Sequence, residues 1–384
     1  MNEKNLSAAS LAAQAMGWID PVTKAVVPPI HMASTYVRDE DNAYRSGRIY
    51  ARADNPTFDQ AEATLAALER GPKALIFSSG MSAATACFLA LAPGDHVIAP
   101  KVMYWALRNW LATFATAWGL EVDFVDADRT DAIADAVRPG TTKLIWIETP
   151  ANPTWCITDI AAAADIAHRA GALLAVDSTV ATPVLTRPIE HGADIVMHSA
   201  TKYLNGHSDI IAGALVGARD DAYWAKLRTL RAQLGTILGQ TEAWLLMRGM
   251  RTLFPRVAWA CRSAEALAER FAAHPMVAEV LYPGLPGFAG HTVAKAQMTG
   301  GFSGMLSVRI KGGERAAIAT AARVALWKRA TSLGGVESLI EHRASIEGPG
   351  TPCPTDLLRL SVGVEDAGDL FDDLDQALRR AHNA

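Results

Sequence analysis

From about residue 58 to residue 217 the chain alternates short apolar runs with alanine-rich stretches of helical length, and no other feature restricts its fold as strongly. The runs Ala74–Phe77, Val97–Ala99, Val122–Val125, Leu144–Ile147, Leu173–Val176 and Ile195–Met197 are strand-length. Between them lie the stretches Ser82–Leu91, Trp105–Trp118 and Ile160–Ala170. Unbroken apolar runs separated by helices suit strands buried on both faces. The pattern therefore predicts an α/β layer built on a mainly parallel sheet.

The flanks read differently. Residues 1–55 hold the pair Pro28 and Pro29, scattered polar residues and little periodicity, which predicts an extended arm rather than a core element. Residues 223–273 are helix-rich, and Arg248 and Arg251 interrupt a Leu/Met/Trp surface there. The remainder, through MLSVRI and LLRLSVGVED to a terminal helix, suggests a smaller α+β lobe. A chain of 384 residues exceeds one ordinary compact domain. The expected division is an arm over 1–55, an α/β domain over 56–243 and a C-terminal α+β domain over 244–384.

Composition removes several classes of function. The formal net charge is −4, with no long run of one sign, so no basic surface for nucleic acid or anionic membrane is expected. No stretch approaches the roughly 20 apolar residues of a membrane span, and the N-terminus lacks a secretory apolar segment. Cys87, Cys156, Cys261 and Cys353 are scattered without metal-ligand spacing, which fits reduced thiols and a cytoplasmic location. His31, His198, His207 and His342 show no metal spacing either, so no metal is expected. Trp105, Trp110 and Trp118 read as packing, and the mixed charges between Arg219 and Arg231 as a solvated or interface face.

Three segments carry chemistry. HSATKYLNGHSD, His198 to Asp209, follows an apolar run and sets Lys202 among small hydroxyl residues. Burial there lowers an amine's pKa and yields a nucleophile able to form a Schiff base, although a surface lysine in a polar loop is the plainer alternative. GALLAVDSTVATP ends a strand with Asp177, where open α/β sheets gather ligand groups. Such an acid could hold a protonated pyridine nitrogen, or simply cap a turn. FSSGMSAATA, Phe77 to Ala86, reads as strand end, glycine turn and helix start, a phosphate cradle or an ordinary cap. It carries neither the Walker nor the dinucleotide glycine spacing.

Taken together and in this order, the three segments resemble the fold-type I pyridoxal 5'-phosphate (PLP) enzymes. The resemblance is specifically to the Cys/Met metabolism, or trans-sulfuration, family, and runs from Thr23 to Asp366. It implies a PLP-transferase fold with a mainly parallel large domain and a smaller C-terminal α+β domain. It also implies that Lys202 carries PLP and shuttles protons, and that Asp177 pairs with the pyridine nitrogen. Gly80, Met81, Ser199 and Thr201 would bind the phosphate. YARADNPT looks like the family's Y-x-R-x-x-N-P-T motif, in which Tyr50 and Arg52 reach the phosphate of a neighbouring subunit. The implied assembly is at least a homodimer, and a homotetramer of two such dimers. Tyr104 occupies the place of the ring-stacking tyrosine and would handle protons on the leaving group. Arg359 matches the α-carboxylate clamp, assisted by Asn152 and Ser332.

The implied activity is a PLP-dependent lyase of sulfur amino acids, cystathionine or a relative, giving a 2-oxo acid, ammonia and a thiol. Alternatives are γ-replacement on an O-acyl homoserine, γ-elimination of an oxygen-linked amino acid, an aminotransferase, and a non-catalytic PLP-binding protein. Several positions depart from the family's usual pattern. Ser178 stands where many relatives have Asn, and Trp105, Ala106 and Leu107 follow Tyr104 where Gly-Gly-Thr is usual. Thr331 stands where cystathionine enzymes often carry an acid, and EHRASIEGPGTP, from Glu341, departs from H-P-A-S-M-T-H through Arg343 and Glu347.

Overall fold

The computed structural model describes residues 6–348 and 350–382. The first five residues of the expected arm, Pro349 and the last two residues lie outside them.

All six apolar runs are strands: β1 (Lys73–Phe77), β2 (His96–Pro100), β3 (Glu121–Val125), β4 (Thr142–Glu148), β5 (Leu173–Asp177) and β6 (Ile195–His198). With β7 (Gly213–Gly217) they form one sheet in the order β1-β7-β6-β5-β4-β2-β3. Strands β2 to β6 pair in parallel, while β7 runs antiparallel to both β6 and β1. Strand β4 shows why the runs are unbroken. Leu144 and Trp146 pack on one face with Phe88, and Ile145 and Ile147 pack on the other with Ile160 and Ala163. Both faces are covered there, so the four central side chains, Leu144 to Ile147, are all apolar.

Strand β7 escapes a reading based on apolar runs because glycines bound it, and packing requires both of them. A Cβ on Gly213 would lie 2.0 Å from the carbonyl oxygen of Ser79, and one on Gly217 would lie 2.7 Å from the Trp224 ring.

The helical stretches also appear, as Gly80–Leu89 and Ile160–Arg169, and as Trp105–Trp110 continued through a π-helical turn at Leu111–Ala115 to Thr116–Trp118. Helices Ala222–Leu234, Gln240–Met250 and Leu253–Ala272 lead to a second sheet. Its strands are β8 (Val277–Leu281), β9 (Met305–Ile310), β10 (Lys328–Arg329), β11 (Leu339–His342) and β12 (Leu357–Ser361), in the order β10-β11-β12-β9-β8. All pairs there are antiparallel except β10–β11. Leu267 and Phe271 of the long helix, with Leu370, Leu374 and Leu378 of the terminal helix Ala367–His382, cover this sheet. No helix among the described residues is long and apolar enough to cross a membrane.

The beginning of the arm departs from expectation. Helix Ala8–Ala13 is capped by the Ser7 side chain, and Ala12 and Ala15 are buried among Phe58 and Leu65. The small alanine side chains let this helix sit close to Pro56–Glu69, and Gln60 Nε2 donates to the Ala15 carbonyl at 2.6 Å. Beyond it the chain is extended, exposing Ile19, Val22, Val26, Met32, Val37 and Ile49.

Gly213 lies directly under the turn that opens helix Gly80–Leu89, so its lack of a side chain bears on that turn. Overpacking of this kind costs about 1–3 kcal/mol. Gly213→Ala is expected to lower the melting temperature. Because the strain falls on Ser79 and Gly80, it should also weaken PLP binding by about tenfold in a titration of the apoprotein.

Candidate active site

The parallel register brings three strand ends level. Glu148 of β4 pairs with Asp177 of β5, and Asp177 pairs with Met197 of β6. The chain leaving β6 passes at once through Ser199, Thr201 and Lys202. A cavity of about 260 Å³ opens above these ends, lined also by Gly80, Met81, Tyr104, Asn152 and Leu333. Most of the expected site residues thus meet at the carboxyl edge of the sheet, where open α/β sheets hold ligands.

One end of the cavity is a cradle. Ser79 caps helix Gly80–Leu89, its Oγ accepting from the Ser82 N–H at 3.0 Å. A Cβ on Gly80 would stand 2.8 Å from Ser199 Oγ, so only glycine lets the helix start approach that hydroxyl. Thr201 borders the cavity too, but its hydroxyl donates to the Ala212 carbonyl at 3.1 Å and accepts from the Ala212 N–H at 2.9 Å. Ser199 therefore has the freer hydroxyl of the two.

Deeper in the cavity Asp177 is buried. Its Oδ1 accepts from the Thr179 N–H at 3.0 Å and the Thr179 hydroxyl at 2.6 Å. Burial raises its pKa, and the Thr179 bonds oppose that shift. Glu148, not among the residues expected from sequence, is its neighbour. Burial, and then the charge of Asp177, push Glu148 up to about 8. The signal was present: WIE at the end of β4 is a strand closing on an acid, as AVD is at the end of β5.

Lys202 stands between these features. Its Nζ donates to Ser332 Oγ at 2.7 Å, and Ser332 holds a left-handed φ of 88°. Burial, and then the nearby Arg359 cation, bring the Lys202 amine down to about 8. Arg359, on β12, donates through Nη1 to Asn152 Oδ1 at 3.1 Å and through Nη2 to the Ser332 carbonyl at 2.8 Å. Glu341 Oε2 lies 2.6 Å from the same Nη2, and 3.2 Å from Nη1 of Arg343. The Nε of Arg343 reaches Glu347 at 2.9 Å. The divergent segment after β11 thus adds a buried ion pair behind the arginine of β12.

Ser332 and Arg359 reach the cavity only through Lys202 and Asn152, and two further expected residues stand apart from it. Tyr50 and Arg52 are exposed on the arm, with the guanidinium 5.7 Å from the Tyr50 ring centroid. Among the described residues no cluster of His, Cys, Asp and Glu could hold a metal ion.

A phosphorylated pyridine aldehyde fits this arrangement. The cavity has a cradle that a Cβ on Gly80 would fill, a buried acid whose hydrogen bonds all fall on one oxygen, and a half-buried amine bordering the same space. The sequence profile of the family described as "Cys/Met metabolism PLP-dependent enzyme" matches residues 9–379. The chain belongs to that family. It is 45% identical over 366 residues to a cystathionine γ-synthase of Mycobacterium tuberculosis, covering 94% of this chain and 93% of that one. It is 41% identical over 367 residues to a cystathionine γ-lyase of Bacillus subtilis, covering 94% and 96%. A crystal structure of metB from Corynebacterium glutamicum superposes with a TM-score of 0.95 at 38% identity, covering all of both chains. The protein is thus a PLP-dependent enzyme of cysteine and methionine metabolism.

The shift on Lys202 has a measurable sign. A lowered pKa means that the amine of the apoprotein keeps its proton below about 8 and is a free nucleophile above it. The rate at which apoprotein captures PLP, followed by stopped-flow absorbance, should rise with pH and level off above an inflection near 8. A rate still climbing toward pH 10, as for an exposed lysine with a pKa of about 10.4, would contradict the burial described.

Proposed function

We propose that the chain is a carbon–sulfur lyase acting on cystathionine or a related sulfur amino acid, releasing a 2-oxo acid, ammonia and a thiol. The observation supporting it is Lys202, a half-buried amine brought down to about 8 that borders the cavity together with Asp177. Lys202 Nζ would hold the cofactor's aldehyde carbon and Asp177 its ring nitrogen. Gly80, Met81 and Ser199 would hold its phosphate, with Thr201 as a further wall. When bound, the cofactor supplies an electron sink for charge developing at the substrate's Cα.

The remaining tasks fall to side chains. Arg359 receives the α-carboxylate, since its planar fork meets a carboxylate through two parallel hydrogen bonds. Asn152 and Ser332, already bonded to Arg359, steady that fork. Lys202, released and neutral, removes the proton at Cα and redelivers it further along the side chain. Tyr104, at the cavity mouth, donates its phenolic proton to the departing sulfur. A leaving group on Cβ needs one proton removal, and one on Cγ needs a second, from Cβ. Apolar Val180, Ile211 and Leu333 border the cavity and suit a thioether side chain.

A second reading is γ-replacement on an O-acyl homoserine, in which the acyl carboxylate leaves Cγ and a thiol sulfur bonds there, so that the amino group is kept and no 2-oxo acid forms. Two observations favour it. The mycobacterial synthase is somewhat more similar than the Bacillus lyase. Position 331 is an exposed threonine rather than an acid that would hold the distal ammonium of cystathionine. Mass spectrometry of products from PLP-loaded protein and L-cystathionine separates the two. Pyruvate with homocysteine, or 2-oxobutyrate with cysteine, is expected and identifies the bond cut. No 2-oxo acid, together with cystathionine made from an O-acyl homoserine and cysteine, would pass the assignment to the second reading.

The arm extends the proposal to assembly as a homodimer at least, and a homotetramer of two such dimers, with Tyr50 and Arg52 completing a neighbour's phosphate site. Arg52→Ala and Lys202→Ala proteins, each expected to be nearly inactive alone, should recover part of the activity after subunit exchange. Absence of recovery in a mixture proven to exchange would place each site within one chain.

A further inference from the structure

Glu148 has no part in the chemistry described above, yet it is the residue to which two neighbouring loops are tied. It closes β4, is 6% exposed, and faces the cavity beside Asp177. Its Oε2 accepts the Tyr104 N–H at 2.7 Å, and its Oε1 accepts the Asn152 N–H at 2.9 Å. The first donor belongs to the loop after β2 and stands at the N-cap of helix Trp105–Trp110, which has no side-chain cap. The second belongs to the turn after β4, and its own side chain accepts from Arg359 at 3.1 Å. One carboxyl therefore fixes Tyr104 directly and reaches Arg359 through Asn152.

We infer that Glu148 is a positioning residue, whose two carboxyl oxygens clamp the backbones of Tyr104 and Asn152 and so set the aromatic ring and the carboxylate-binding arginine relative to Asp177. The inference rests on the PLP site described above and is independent of whether the enzyme eliminates or replaces a side-chain group.

The setting accounts for the residue type. Burying a carboxyl is costly without donors, and here each oxygen has one. The charged groups facing it are Asp177 from β5 and Arg343 from helix Arg343–Glu347. A carboxyl accepts through both oxygens whether or not it carries a proton. An amide of the same shape accepts through only one. Glu148→Gln therefore turns an N–H donor toward another N–H donor and opens one arm of the clamp without leaving a void. Glu148→Asp keeps the chemistry but draws both oxygens back by one methylene.

The test uses binding and spectroscopy rather than turnover. In Glu148→Gln the apoprotein is expected to melt within a few degrees of the wild type. Its PLP dissociation constant should rise by about tenfold, and the visible circular dichroism of the bound cofactor, which reports the ring stacked on it, should change in size or shape. Glu148→Asp should fall between the two. Unchanged affinity and dichroism in Glu148→Gln would overturn the inference. So would losses that only track a fall in melting temperature, since these mean a purely structural tie. Should neither variant fold, amide hydrogen exchange on the wild-type apoprotein decides. Slow exchange at both Tyr104 and Asn152 supports the clamp, and fast exchange at either removes it.

Discussion

The parallel pairing of β4, β5 and β6 is the constraint on which the site depends. Hydrogen bonds between these strands bring Glu148, Asp177 and Met197 level, and the next residues are those that carry the amine and hydroxyls of the cavity. A slip of one residue in any of these strands would send the acids to the opposite face of the sheet, into the packed layer formed by Ile147 and Val176. The apolar filling of both faces holds the register, so the reactive edge is fixed by side chains that never touch a ligand. The antiparallel strand β7 closes the arrangement from the other side, its bare Gly213 leaving room for the helix start that forms the cradle.

The second sheet contributes to the same site from a distance in sequence. Ser332 reaches Lys202 and Arg359 reaches Asn152, so two hydrogen bonds of 2.7 and 3.1 Å join residues 130 and 207 positions apart. On the proposed roles, binding and proton transfer are divided between lobes. The large sheet carries the amine and acid, and the small sheet carries the cation that would orient a substrate. Placing these groups within a few ångströms of one another before any ligand arrives removes much of the entropic cost of bringing them together.

Much of this was legible in the sequence, and the omissions have physical causes. Most of the six strands announced themselves because a strand buried on both faces is apolar through its centre; β3, at the sheet edge, is only partly buried and carries Asp123. β7 did not announce itself, because close approach to Ser79 and Trp224 requires glycine at its two ends. The opening helix was hidden for a related reason: alanines that allow tight packing also make a segment look featureless. Asp177 was singled out and Glu148 was not, although both end apolar runs, and the resemblance assigned a role to one and none to the other. The hydroxyl of Thr201 is engaged by Ala212 in a way that no motif reports. Nor could spacing reveal that Arg343, two residues beyond Glu341, turns inward to share it with Arg359.

That sharing restricts how this corner of the protein can vary. Arg359, Glu341, Arg343 and Glu347 alternate in sign along one chain of contacts, with side chains 4 to 6% exposed. Replacing any one of them strands a charge in a place where water cannot attend it, a far larger loss than the pair's own contribution. Arg343 and Glu347 are therefore not two independent sites. A lineage that wished to reshape the pocket here would have to exchange both together, through an intermediate less stable than either end. The ion network behind Arg359 can therefore change only in coordinated steps.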